Sequence, residues 1–147
     1  MKAVIQRTDY AKVEVENNIT GQIKKGLLVL LGVTHEDSEK EADYLADKII
    51  NLRIFPDSED KMNLSLLDIK GEILVVSQFT LYADTKKGRR PSFIKAAKPE
   101  KANYLYEYFV KILNEKGLEP KTGKFQEMMN VSLLNSGPVT IIIDTNE

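Results

Sequence analysis

Ser77-Gln78-Phe79-Thr80-Leu81 and Asn135-Ser136-Gly137-Pro138-Val139-Thr140 are the stretches from which the rest of this chain is best read. Each sets small hydroxyl residues against β-favouring ones at the border of an apolar run. Ile73 to Gln78 leads into the first, while Val131 to Leu134 and Val139 to Asp144 flank the second. Ser and Thr at a strand end commonly tie down a turn. On its residues alone, Gly137-Pro138 reads as a hairpin turn joining two strands.

Outward from these runs the chain alternates strand and helix patterns. Lys2 to Thr8 reads as a first strand, and Tyr10 to Glu16 alternates Ala11, Val13 and Val15 with charged residues, the period of a half-buried strand. Asn17-Asn18 tolerates positive φ, so Ile19 to Ile23 can return as a hairpin. Gly26 to Thr34 is nearly all apolar, as in a central strand covered on both faces. Ser38 with Glu41 forms a capping box ahead of Ala42, Leu45, Ala46, Ile49 and Ile50 at helical spacing, ending near Phe55-Pro56. Pro99 opens a second helix with the stripe Ala102, Leu105, Phe109, Ile112 and Leu113, which Gly117 ends. The expectation is an α/β fold: sheets packed together and covered by helices on one side, with hairpins at its start and finish.

Composition narrows the chemistry. A chain of 147 residues is expected to form one domain, 1–147, with a core that needs no staples. There is no cysteine, so no thiolate nucleophile or thiolate metal site, and a single histidine, His35, removes His clusters and multi-His relays. His35 sits in an acidic loop with no recognisable nucleophile beside it. Asp57, Glu59 and Asp60 lack the spacing and terminal Glu of a calcium loop, so no metal is expected. No apolar run is long enough to span a membrane, and Met1-Lys2 leads straight into strand-like sequence; a cytoplasmic location is expected. The net charge of −1 hides a basic segment: Lys86, Lys87, Arg89, Arg90, Lys95 and Lys98 stand against Asp84 alone. Such a loop either tracks phosphates or is simply a solvated surface.

The two opening runs resemble the paired S-Q-x-T-L and N-x-G-P-x-T signatures of the D-aminoacyl-tRNA deacylases. The resemblance extends to Ala3-Val4-Ile5-Gln6-Arg7, Gly26 to Val33 and Met62-Asn63-Leu64-Ser65, essentially end to end. Ser136 stands where many members have Asp. A compact three-layer, barrel-like domain and a homodimer are what the resemblance implies. So is hydrolysis of the ester of D-aminoacyl-tRNA, and of glycyl-tRNA, with no cofactor. Ser77, Gln78, Phe79 and Thr80 would then meet the ester and the terminal adenosine, the amides of Phe79 and Thr80 being suited to an oxyanion. Gly137-Pro138 would be a cis chiral filter entering the partner subunit's site, supported by Arg7 and Asn135. Phe125 and Met129 would line the amino-acid pocket or serve as ordinary core, and Lys86, Lys87, Arg89 and Arg90 would meet the tRNA. Two other functions fit the residues. Thr80 as a covalent nucleophile makes a conventional esterase, although no base stands beside it. The basic loop alone would suit a non-catalytic nucleic-acid-binding dimer.

Overall fold

The computed structural model describes residues 1–147. Strands β1 (Lys2–Val15), β2 (Asn18–Ile23) and β3 (Gly26–Gly32) come first, then helix α1 (Glu39–Asn51), the short β4 (Phe55–Pro56) and β5 (Met62–Leu64), and β6 (Glu72–Ser77). A 3₁₀ turn, Phe79–Tyr82, follows β6; helix α2 (Pro99–Glu115), β7 (Lys121–Thr122) and β8 (Asn130–Asp144) complete the chain. The main sheet runs β2-β1-β3-β6-β7, with β8 on the other edge of β1, and curls into a nearly closed barrel.

Three of these strands set the architecture. β6 pairs parallel to β3, and β7 parallel to β6, so α1 and α2 are the crossovers of a β-α-β-α-β unit. Crossovers of one hand, stepping the same way across a sheet, land on the same face. Both helices therefore cover one side, and they run in the same direction: Tyr104 donates to Glu39, Tyr108 to Asp43 at 3.3 Å, and Lys116 pairs with Asp47 at 3.3 Å. The stripes read from the sequence are the buried faces, with Tyr106 added to α2. At the start of α1 the Ser38 N–H (2.8 Å) and hydroxyl (2.6 Å) both donate to Glu41, and this holds its carboxyl below the usual range.

β3 is covered on both sides, as its unbroken apolar run demands. Leu27, Val29 and Leu31 join the helices in the larger core, with Ala3 and Ile5 of β1 and Ile73 and Val75 of β6. Leu28 faces the smaller core inside the barrel with Ala11, Val13, Ile23, Leu74 and Val76. β1 thus serves the larger core with its first half and the smaller with its second, bending between them. Thr8 is wholly buried at the bend, its hydroxyl donating to the Gly26 carbonyl at 3.4 Å.

Three expectations need correction. Lys2–Thr8 and Tyr10–Glu16 are one bent strand rather than two, because β8 pairs along both halves and bridges the bend. The first hairpin turns one residue early, with positive φ at Glu16 and Asn17 while Asn18 already belongs to β2. There is no C-terminal hairpin: Asn130–Asp144 is one strand, and both its halves pair with β1 rather than with each other.

The barrel closes where β2 meets β7, and there the backbones come very close. A Cβ on Gly21 would lie 2.5 Å from the Thr122 carbonyl oxygen, a main-chain atom with little room to yield. Gly21→Ala is therefore expected to destabilise the fold by about 1–3 kcal/mol, the usual cost of overpacking, read as a lower midpoint in urea at unchanged slope.

Candidate functional site

Parallel strands commonly present ligands at their carboxyl ends, and the cavity lined by Ser77 and Phe79 opens there. It measures about 530 Å³, and its walls include Val33 past the end of β3, Lys98 and Pro99 at the start of α2, and Phe125. The first turn of α2 brings the positive end of a helix dipole to the same place. A second cavity of about 410 Å³ lies at the other end of the sheet, between Leu66–Ile73 and Gly117–Lys121. The Glu72 carboxylate in its lining already accepts the N–H of Lys24 at 2.8 Å, and none of the candidate site residues read from the sequence lines it.

Within the S-Q-F-T run the groups divide by what they contact. The Gln78 N–H donates to the Leu31 carbonyl at 2.8 Å, fastening the end of β6 to β3. The amides of Phe79 and Thr80, first in their 3₁₀ turn, make no turn or loop hydrogen bond. The Gln78 side-chain amide donates to the Thr80 hydroxyl, and no carboxylate, histidine or lysine partners that hydroxyl. Phe79 stands half exposed with its ring edge-on to Phe93 at 5.1 Å. Phe125 lies 6.2 Å from Tyr106, whose hydroxyl donates to the Val75 carbonyl at 2.8 Å and whose pKa burial pushes up to about 12. Met129 does not line this cavity. It packs on the smaller core, its sulfur 2.5 Å from where a Gly123 Cβ would stand.

Arg7 organises the second run. Gln6 pairs with Thr140 and Thr8 with Asn135, so Arg7 alone faces Ser136–Val139, and those residues loop out of the ladder. Arg7 Nε donates to the Ser136 carbonyl at 3.2 Å and Nη1 to the Ile54 carbonyl at 2.7 Å. Asn135 Nδ2 closes the loop neck by donating to the carbonyls of Arg7 and Val139, each at 3.0 Å. The Gly137-Pro138 peptide is cis, with Gly137 at φ +117°, and both residues are exposed. Neither lines the cavity of its own chain. A Cβ on Gly137 would stand 2.7 Å from Arg7 Nη2.

The basic segment is an ordered hairpin. Asp84 and Ser92 exchange main-chain hydrogen bonds of 2.7 and 3.0 Å, and Gly88 turns the tip at φ +72°. Lys86, Lys87, Arg89 and Arg90 are all exposed. Asp84 accepts the Lys86 N–H and pairs with Lys95 at 3.4 Å, which lowers its pKa. The acidic turn at Asp57 is likewise structural, its carboxylate accepting from the N–H groups of Glu59 (2.8 Å) and Lys61 (3.1 Å). Reading the sequence missed Val33, Phe93, Ala96, Ala97 and Lys98 in the cavity wall; the Pro99 helix start was the one available signal. It also missed a buried polar cluster behind the 3₁₀ turn. There Asp37 pairs with the Met1 ammonium at 2.5 Å, and burial with the Asp37 and Asp144 carboxylates pushes the Tyr82 phenol well above its usual range.

A family model described as D-Tyr-tRNA(Tyr) deacylase matches residues 4–144. A D-aminoacyl-tRNA deacylase of Bacillus pumilus (strain SAFR-032) is 61% identical over 147 residues, covering 100% of both chains. An inactive D-aminoacyl-tRNA deacylase of Bacillus subtilis (strain 168) is 62% identical over 131 residues, 89% of this chain and 99% of that one. Among solved structures, a c-Myc DNA Unwinding Element Binding Protein superimposes with a TM-score of 0.92 at 41% identity, over 99% of each chain.

Arg7→Ala strips the donors from two carbonyls and leaves the 136–139 loop held by Asn135 alone. The expected cost is about 1–3 kcal/mol, together with faster amide exchange across Ser136–Thr140 than across β3.

Proposed function

The chain belongs to the D-Tyr-tRNA(Tyr) deacylase family, and we propose that it hydrolyses the ester joining a D-amino acid to the 3′ end of tRNA. It is a hydrolase that frees the amino acid and intact tRNA, with residues 1–147 acting as one domain. The observation that carries this reading is the cavity beside Ser77 and Phe79, with the amides of Phe79 and Thr80 making no turn or loop hydrogen bond and a cationic hairpin on the adjoining segment. An aminoacyl ester is already activated, and the neighbouring ribose hydroxyl can assist attack by water. Positioning and oxyanion stabilisation then supply most of what the reaction needs. Ser77 and Gln78 orient the ester, the amides of Phe79 and Thr80 receive the developing negative charge, and Phe125 bounds the amino-acid side. No cofactor or metal takes part.

Chirality is read in trans in this proposal. The Gly137-Pro138 loop is exposed, braced by Arg7 and Asn135, and does not line the cavity of its own chain. A second copy would bring it to the ester, where it reads the α-amino group and Cα and clashes with L side chains. Glycyl-tRNA, achiral at Cα, passes the same test. The outer edge of β8 supports a homodimer, because Leu134 and Ile142 are exposed along a fifteen-residue strand paired only with β1. No helix is long and apolar enough to cross a membrane; the reading puts the enzyme in the cytoplasm with its substrate.

Release of free amino acid from D-aminoacyl-tRNA, against an L-aminoacyl control, tests the assignment. No release, or equal release from both, sinks it. The name of the 41%-identical structure favours one rival, a nucleic-acid-binding protein without catalysis. Binding without D-selective release would establish that rival. A relative described as inactive at 62% identity makes the assay decisive.

Thr80→Ala is expected to keep activity within about tenfold of the parent, the scale of one lost hydrogen bond. Loss of a covalent nucleophile would instead cost about 10⁴-fold or more, and an acyl group trapped on Thr80 would overturn the water mechanism. Replacing Lys86, Lys87, Arg89 and Arg90 together by Ala should weaken tRNA binding. The logarithmic salt slope should flatten by about 0.7–0.9 for each phosphate no longer neutralised, with the D-over-L preference intact.

A further inference from the structure

Between the basic hairpin and the wall of the cavity lie Phe93 and Ile94, large apolar side chains that ester hydrolysis leaves without a task. Ile94 is 83% exposed, Phe93 is 38% exposed, and Phe93 lines the cavity while meeting the edge of Phe79, itself 54% exposed. Single exposed apolar residues are ordinary. These are different because the main chain that carries them is fastened at Ile94, Lys95 and Ala97. His35 Nε2 donates to the Ile94 carbonyl at 2.7 Å, the Thr34 hydroxyl to the Lys95 carbonyl at 2.5 Å, and the Ala97 N–H to the Val33 carbonyl at 2.9 Å. Lys101 in turn donates to the His35 carbonyl, and Lys95 pairs with Asp84 across the hairpin base. A segment held this way has no freedom to fold Ile94 inward. Its apolar face stays in water.

Charge decides what the face is suited to. Just before it along the chain stand the exposed Lys86, Lys87, Arg89 and Arg90; just after it stand Ala96, Ala97 and Lys98 of the cavity wall. Cations that track a backbone beside apolar or aromatic platforms are how proteins hold single-stranded nucleic acid without reading its sequence. We propose that Phe93 and Ile94 form a stacking step for the unpaired nucleotides that precede the terminal adenosine of the substrate. This rests on the aminoacyl-tRNA reading of the site. The hairpin takes the phosphates, Phe93 and Ile94 take the base faces, and the 3′ ester reaches Ser77 already aligned. The His35 ring is then a positioning group, fixing the step by way of the Ile94 carbonyl.

The test compares Ile94→Ser and Ile94→Phe with the parent, since an exposed side chain can be changed without disturbing the core. Binding is measured at one salt concentration to uncharged tRNA with its 3′ end intact and to the same tRNA with its unpaired 3′ nucleotides removed. Ile94→Ser should weaken binding to the intact tRNA by roughly 3- to 10-fold, the lower end of stacking effects, and leave the trimmed tRNA unaffected. Ile94→Phe should restore binding or tighten it. On D-aminoacyl-tRNA, kcat/KM should follow the same order, while D-aminoacyl-adenosine, which lacks the preceding nucleotides, should show no change. An equal effect on intact and trimmed tRNA, or none on either, overturns the proposal. A changed molecular mass by light scattering overturns it too, by assigning Ile94 to a subunit contact. The binding arm needs no ester cleavage: Ile94-dependent binding by a protein that releases no D-amino acid would sustain the stacking step and sink the deacylase.

Discussion

The parallel pairing of β3 with β6, buried on both faces, is the constraint from which the rest follows. A strand with apolar residues on both sides has to be covered twice, so one curled sheet and two helices enclose two cores that share it. Leu27, Val29 and Leu31 are essentially without solvent contact, each worth roughly 1.5–3 kcal/mol as buried side chains. Parallel strands need crossovers, and the crossovers are the helices. Their common direction places the start of α2 beside the carboxyl ends of β3 and β6, which is where the cavity lies. The site is therefore a by-product of how the core was closed rather than an addition to it.

Its chemical character follows from what that position offers. Strand ends and a helix start supply main-chain amides and carbonyls, and very little that titrates. Arg7, whose cationic side chain reaches into irregular backbone, is used for geometry: it spans from the Ser136 carbonyl to that of Ile54 and holds open a ladder in which one residue faces four. A reaction that starts from an activated ester is one such a site can serve. A reaction needing a strong base would find none within reach of Thr80.

Local signals carried the helices. The Ser38–Glu41 box, Pro99 at a first turn and Gly117 at φ +88° act over a few residues, and the helix boundaries were legible to within about a turn. β8 was not legible as one strand, because a proline inside a strand ordinarily argues for a break. Only its partner β1, more than a hundred residues earlier, carries the pairing across the gap. β7 escaped notice since two residues hold no periodicity. In the candidate site, the family likeness pointed to Ser77 and Phe79 of the cavity wall and to the Arg7–Asn135 brace, and Phe125 was visible as one of two alternatives. Phe93, Ala96 and Ala97 were hidden inside a segment whose charge drew attention to its lysines and arginines. What faces a cavity depends on the turn of the chain, and charge counting does not register it.

The cavity has walls of unequal stiffness. Ser77 stands at the end of a ladder pinned across the sheet, whereas Phe125 hangs from β7, which is held by two paired residues against β6 and closes the barrel against Gly21. Segments with so few shared hydrogen bonds open at a fraction of the global unfolding free energy. The Ser77 wall is thus set in register, and the Phe125 wall is compliant. A site with one wall that is fixed and one that yields gains breadth without loss of alignment, and here that difference is written into the number of residues pairing each strand.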